Sequence, residues 1–310
     1  MTHAAPEPPV VPDALALQRE RSMLLAALSD LVLIAGQFTT AVFANSLMML
    51  AEAVRAFLLV VLELVLLGVL RRIHRGRMHD FDYGAGKVEQ FANLSVALGM
   101  GFAGLWVGVG AAYRWWHPPE QVEAGLLFAV GVGALNALQN AYVFRALWRA
   151  GGDGRSVIMM GQVRTRLAKL ISSAIVLVAL TVNASFPGGT VALVAEVAGS
   201  AFVALVMVQL AVSMARQSLP SLLDRTLEEK QQHLINRALV RHFDRYDALV
   251  SVRSRLSGNM PCVDVVLGFA PERRMEDVQG VTDQVAGEVQ ALIPGAQVTV
   301  TPVLSPAAPA

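Results

Sequence analysis

The chain has 310 residues, 55% of them hydrophobic but only 6% aromatic, with a mean hydropathy of +0.51 and a formal net charge of +1. That is more apolar surface than one soluble core needs, and it points to membrane helices. The single cysteine, Cys262, excludes an intrachain disulfide and any Cys-x-x-Cys metal or redox motif, and it reads as a small buried residue.

Residues 1–22, with Pro6, Pro8, Pro9 and Pro12, read as a disordered tail with no cleaved signal peptide. Six apolar segments follow, at about 23–43, 46–70, 92–114, 122–144, 167–185 and 190–214, each near the roughly 20 residues that cross a bilayer. The connections alternate in charge. Arg19 and Arg21 precede the first segment, and Arg71, Arg72, Arg75, Arg77 and Lys87 follow the second. Arg145, Arg149, Arg155, Arg164 and Arg166 lie between the fourth and fifth, and Arg216 and Arg225 follow the sixth. The opposite connections hold only Arg114. By the positive-inside bias both termini and the basic loops are cytoplasmic, as expected of a multi-pass protein of the cytoplasmic membrane. Trp115 and Trp116 then belong at the outer interface.

Charges inside such segments are expensive, so they need a partner or a task. Asp30 in the first span, Glu52, Arg55 and Glu63 in the second and Glu196 in the sixth are therefore the candidate functional residues. Glu52 and Arg55, three apart, suit mutual neutralisation on one helix face, whereas Asp30 and Glu196 have no obvious partner nearby in sequence. Gly104-x-x-x-Gly108 in the third span suits close helix packing. Asn136, Gln139, Asn140 and Gln209 read as inter-helix hydrogen-bonding groups.

Past Arg216 the composition becomes that of a soluble domain, 217–303. Thr226-Leu-Glu-Glu229 reads as a capping box opening a helix to about residue 243, with Leu234, Ile235, Leu239, Val240 and Phe243 on one stripe. Strands are expected at 248–256 and 261–269, joined by a Ser257-Gly-Asn259 turn, then a helix over 274–292 and a strand over 296–303. The expected fold is mostly α: a six-helix transmembrane bundle, then a small cytosolic α-β-β-α-β domain with its helices on one sheet face. Residues 304–310 read as a disordered tail. No nucleophile elbow, phosphate loop, His-Glu-x-x-His or paired-carboxylate motif supports an enzyme, and no base-stacking aromatic run supports nucleic-acid binding. No cofactor is implied.

Several stretches resemble the cation diffusion facilitator (cation efflux) family of divalent-metal/proton antiporters. Ser46-Leu-Met-Met-Leu-Ala-Glu-Ala-Val-Arg55 is similar to that family's second-span start, and Tyr83-Gly-Ala-Gly-Lys-Val-Glu89 to its Gly-Tyr-Gly-Lys-x-Glu turn. Ser218-Leu-Pro-Ser-Leu-Leu-Asp224 resembles the exit of its sixth span. Val252-Arg-Ser-Arg-Leu-Ser-Gly258 and Pro294-Gly-Ala-Gln-Val-Thr299 resemble its cytosolic domain. The resemblance covers roughly 25–303 and implies a homodimer that exchanges a divalent cation for protons.

It also implies an ion site between the second and fifth spans, with two acidic or His ligands four apart on each. Carried over, those positions fall on Arg55 and Leu59, and near Thr165 and Lys169, so a divergent branch is indicated. A dication there meets fixed cations, worth several kcal/mol of repulsion at an effective dielectric of about 20. Two readings follow: a buried Glu52–Arg55–Lys169 ion network in place of the metal, or displaced oxygen ligands and a proton relay from Glu52, Glu63, Asp30 and Glu196.

In the cytosolic domain, metal-ligand positions of the family correspond to Val250, Val266, Gln279, Thr301 and Val303, so a domain held together without zinc is expected. His79 in the basic loop reads as a solvated residue. Lys87 and Asp224 match a charged pair resembling an interlock at the dimer, with Arg255 as its basic partner. Function stays between a homodimeric cation transporter with non-standard ligands and a transport-inactive member acting as a dimeric scaffold or regulatory partner.

Overall fold

A computed structural model describes residues 14–75, 86–119, 122–150, 157–186, 188–257 and 260–305. His79, the first residues of the Tyr83–Glu89 turn and the tip of the Ser257–Asn259 turn lie outside them. The chain separates into two compact units, residues 1–75 with 95–215, and residues 76–94 with 216–310.

Six long helices supply the first unit, α3 from residue 95 and α6 up to residue 215: α1 (Ala14–Phe43), α2 (Leu47–His74), α3 (Gly86–Trp116), α4 (Glu123–Ala150), α5 (Val157–Ser185) and α6 (Thr190–Leu222). Five of them contain apolar stretches long enough to cross a membrane. In α5 the apolar part is only Lys169–Ser185, because Arg164 and Arg166 occupy its earlier turns. This is a multi-pass membrane fold.

Helix α1 begins at Ala14, inside the stretch expected to be a tail up to residue 22. Good helix formers such as Ala14, Leu15, Ala16 and Leu17 extend the helix, and Glu20 is buried against Arg71 Nε at 3.3 Å and Arg75 Nη2 at 3.8 Å. Where α1 ends, Asn45 takes φ +50°, the Asn45 amide donates to Val42 O and the Ser46 amide to Ala41 O. That is the Schellman arrangement, and Asn tolerates its left-handed residue better than most side chains. Helix α6 ends the same way, with Asp224 at φ +49° and the Arg225 amide donating to Pro220 O at 2.9 Å.

The Gly104-x-x-x-Gly108 packing expectation holds. A Cβ at Gly104 would lie 3.0 Å from Met207 Cβ and 3.1 Å from Ala204 O, so α3 and α6 meet nearly backbone to backbone. The core of this unit is small and flexible in its side chains: Met48, Met49, Met100 and Met207 are fully buried among alanines, valines and leucines.

The helical part of the second unit's terminal domain comprises α7 (Glu229–Arg241), a short 3-10 turn at Phe243–Arg245, and α8 (Met275–Leu292). Its strands are β1 (Ala248–Ser257), β2 (Met260–Phe269) and β3 (Gln297–Leu304), in the order β1-β2-β3. β1 pairs antiparallel and β3 parallel with the central β2. Alternation on β2 sends Val263, Val265, Leu267 and Phe269 to one face, where they pack with Ile235, Ala238 and Leu239 of α7 and Val281, Val285 and Val289 of α8. The α-β-β-α-β order with helices on one face is thus present, and Cys262 is buried as expected.

Two local expectations are corrected. The capping box is not formed: Glu228 takes the N-cap position in extended conformation with no side-chain cap bond. Leu227 is buried in the core, and fixing it there keeps 226–228 out of the helix. On α7 the inward stripe is Ile235, Ala238 and Leu239, while Val240 is exposed on the helix's other side and Phe243 is exposed past its end at Arg241.

Candidate functional site

Two polar assemblies lie inside the membrane-spanning unit. The first is on α2. Glu52 and Arg55 are both buried, and Arg55 donates from Nε to Glu52 Oε2 at 3.1 Å and from Nη2 to Oε1. A three-residue spacing puts both side chains on one helix face, and a two-pronged guanidinium–carboxylate pair satisfies two groups that lipid cannot. Lys169 is half-buried on α5. Leu59 is half-buried on α2, and Thr165 belongs to α5 with its side chain outside the described residues. Glu63 is half-buried and has no ion pair with a described residue.

Asp30 and Glu196, which lacked evident partners in sequence, have them in three dimensions. Asp30 Oδ1 accepts from Gln139 Nε2 of α4 at 2.8 Å. Asn140 Nδ2 donates to Ser173 Oγ of α5 at 2.9 Å and lies 3.4 Å from Asn136 Oδ1. Gln139 and Asn140 therefore bond between helices as expected, whereas Gln209 on α6 is exposed.

Glu196 is the centre of the second assembly. Fully buried near the start of α6, it accepts from the amides of Leu47 (2.6 Å) and Met48 (3.2 Å), the first two residues of α2. It also accepts from Ser46 Oγ at 3.0 and 3.1 Å, Asn183 Nδ2 of α5 at 3.0 Å and Arg114 Nη1 of α3 at 3.3 Å. Ser46 Oγ takes the Met49 amide and the Ser46 amide itself donates to Ala41 O, so all four free N–H groups at the start of α2 are met. The Glu196 carboxyl thus sits at the positive end of the α2 dipole with the Arg114 guanidinium on its other side, two arrangements that each favour negative charge. Arg114 also donates to Asn45 O at 2.7 Å and Asn45 Oδ1 at 3.1 Å.

Sequence reasoning named Glu196 but missed Asn45, Ser46 and Asn183 as its surroundings. One signal was available in Arg114, the single basic residue in the connections opposite the basic loops.

In the second unit, Lys87 Nζ lies 2.9 and 3.0 Å from the two carboxylate oxygens of Asp224, so this pair is formed. Arg255 lines the same cleft as Asp224, and the two are not ion-paired. On the sheet's outer face Arg253 stands opposite Asp264. At the far end of α7, Arg241 Nη1 and His242 Nε2 each sit 2.7 Å from Glu288 of α8. The Arg241 hydrogen bond, with a smaller contribution from His242, holds the Glu288 carboxyl below the usual carboxylate range.

The comparisons with known proteins bear on both assemblies. The manganese efflux system protein MneP of Bacillus subtilis is 19% identical over 271 residues, 86% of this chain and 89% of that protein. Residues 23–223, which carry Glu52, Arg55, Lys87, Arg114, Glu196 and the start of Asp224's turn, match the cation efflux transmembrane domain, and the chain therefore belongs to the cation efflux family of membrane transporters.

Proposed function

We propose that this protein is a homodimeric secondary transporter of the cytoplasmic membrane, with both termini cytoplasmic, that exports a cation in exchange for protons through a rebuilt ion site. The observation that carries the reading is the buried Glu52–Arg55 pair. A carboxylate stands one helical turn before the position where relatives place a ligand, and a fixed cation occupies that position. Arg55 acts as a resident counter-cation on Glu52, so an arriving ion has to displace the guanidinium before it can use the carboxylate. Asp30, Glu63, Lys169 and Glu196 are the other charged groups available to such a cycle. Binding near the midplane with helices rocking around the site is the mechanism that bundles of this kind support.

The relative's printed substrate makes manganese the first ion to test. Purified full-length protein in vesicles carrying a proton gradient, with a metal-sensitive dye inside, should show manganese flux that Glu52→Gln abolishes. Absence of flux for manganese, zinc, iron, cobalt and cadmium would overturn the reading. It would favour a second one, a transport-inactive dimeric scaffold or regulatory partner. One observation leans that way: among the described residues, no three His, Cys, Asp or Glu side chains converge as a metal site would require. Replacing Arg55 and Lys169 together by Asp tests the positional carry-over, with gained metal affinity as the expected result.

For the dimer, the reading assigns Lys87 and Asp224 to an interlock, with Arg255 as the basic group near it.

A further inference from the structure

The turn joining α1 to α2 is gripped from several sides. From α3, Arg114 holds Asn45 and a Cβ at Gly110 would lie 3.1 Å from Leu47. From α4, Gly125 is so close that an added Cβ would sit 2.6 Å from Ala44 Cα and 2.7 Å from Phe43 O. From α6, Glu196 caps α2, and a Cβ at Gly199 would fall 2.1 Å from Met48 Sδ. From α5, Asn183 joins through Glu196. Every other helix of the unit thus converges on one turn, α4 by backbone packing and α3, α5 and α6 by polar bonds that leave no donor of the α2 N-terminus unmet.

We infer that this assembly is the latch that shuts the non-cytoplasmic end of the transporter, with Glu196 and Arg114 as its two positioning residues. The inference rests on the transport reading and orientation proposed above.

The chemistry suits a latch that opens and recloses. Closed, Glu196, Arg114, Asn45, Ser46 and two α2 amides satisfy one another, with Glu196 and Ser46 buried and Asn45 at the exposed edge. Opened, each needs a new partner, and water entering from the adjacent interface supplies one. Arg114 directly precedes Trp115 and Trp116, both exposed, so the assembly lies at the end of α3, next to aromatic side chains of the type that favour a membrane–water boundary. Because packed elements switch between discrete arrangements, breaking Arg114 from Glu196 and Asn45 frees α3 from the turn in one step. Glu52 and Arg55 ride on the same α2 helix whose first turn the latch holds, so a movement of α2 at its ion pair is resisted at this end until the latch parts.

The test is side-specific labelling of full-length protein in vesicles. Cys262→Ser removes the native thiol, and Ala44→Cys places a new one in the turn, at a fully buried position. A membrane-impermeant thiol reagent should label it slowly from either side in this parent. Adding Arg114→Gln, which leaves the Glu196 caps on α2 in place, should raise labelling from the non-cytoplasmic side at least tenfold, with Arg114→Lys restoring most of the protection. Glu196→Asp is the second variant, expected to give an intermediate increase on the same side. Unchanged labelling in both variants would overturn the inference. So would equal labelling from both sides, the signature of general loosening, or labelling from the cytoplasmic side alone. If the parent carries no cation yet labelling still responds on the predicted side, the transport reading fails while the latch stands.

Discussion

Arg55 reaches back one turn of α2 and donates to both carboxylate oxygens of Glu52, and both residues are buried. Removing one partner strands a charge in the interior, which costs about 3–5 kcal/mol, whereas replacing both by apolar groups of similar size is close to neutral. Arg55→Leu should therefore lower the thermal midpoint of the detergent-solubilised protein sharply, and Glu52→Leu with Arg55→Leu should recover most of it. Equal losses in the single and double variants would mean that the two residues do not neutralise each other.

Gly125 and Gly199, two of the glycines that touch the α1–α2 turn, should respond differently to alanine. At Gly125 the added methyl meets the backbone of Phe43 and Ala44, which cannot step aside, so Gly125→Ala should cost at least about 1–3 kcal/mol. At Gly199 the obstacle is the sulfur of Met48, a side chain with three rotatable bonds, and shortening it by Met48→Ala should rescue Gly199→Ala. Thermal melts of the four variants check this, and rescue of Gly125→Ala by Met48→Ala would contradict it.

The Lys87–Asp224 pair is largely exposed, so Lys87→Ala should change stability by under about 1 kcal/mol. The backbone at Asp224 matters more. Its left-handed conformation predicts that Asp224→Asn is tolerated and that Asp224→Val costs about 1–2 kcal/mol. Under the interlock reading, Lys87→Ala nevertheless shifts the dimer toward monomer in light scattering at low protein concentration. An unshifted dimer removes Lys87 from that role.

The Glu288 carboxyl titrates lower when folded than when unfolded, because Arg241 and His242 hold its ionised form. A depressed folded pKa adds stability that is complete above the unfolded value, near the ordinary 4.5, and is lost as pH falls through the lowered one. Melting profiles should therefore decline on the acid side of that range, and Glu288→Gln should flatten the decline. A variant that tracks the parent at every acidic pH would show the contribution to be negligible.

What the sequence conveyed was whatever repeats or stands close along the chain. The apolar segments follow from hydropathy, the strands from alternation in Cys262–Phe269, and the Glu52–Arg55 contact from a three-residue spacing. The surroundings of Glu196 were illegible for a physical reason. Its donors come from residues 46, 47, 48, 114 and 183, and two of them are backbone amides, which every residue but proline carries. The unformed capping box failed for a related one: Thr226 and Glu229 had the right spacing, but burial of Leu227 in the domain core decided where the helix begins.

The backbone contact at Gly125 divides the labour among the helices. Helix α4 is seated on the α1–α2 hairpin with no side chain between them, and it shares the Asn140–Ser173 bond with α5 and the Gln139–Asp30 bond with α1. On the transport reading proposed above, those four helices are expected to tilt as one body. Sliding that exposes the site to the far side would then run along the glycine-faced contacts that α3 and α6 make with each other and with the hairpin.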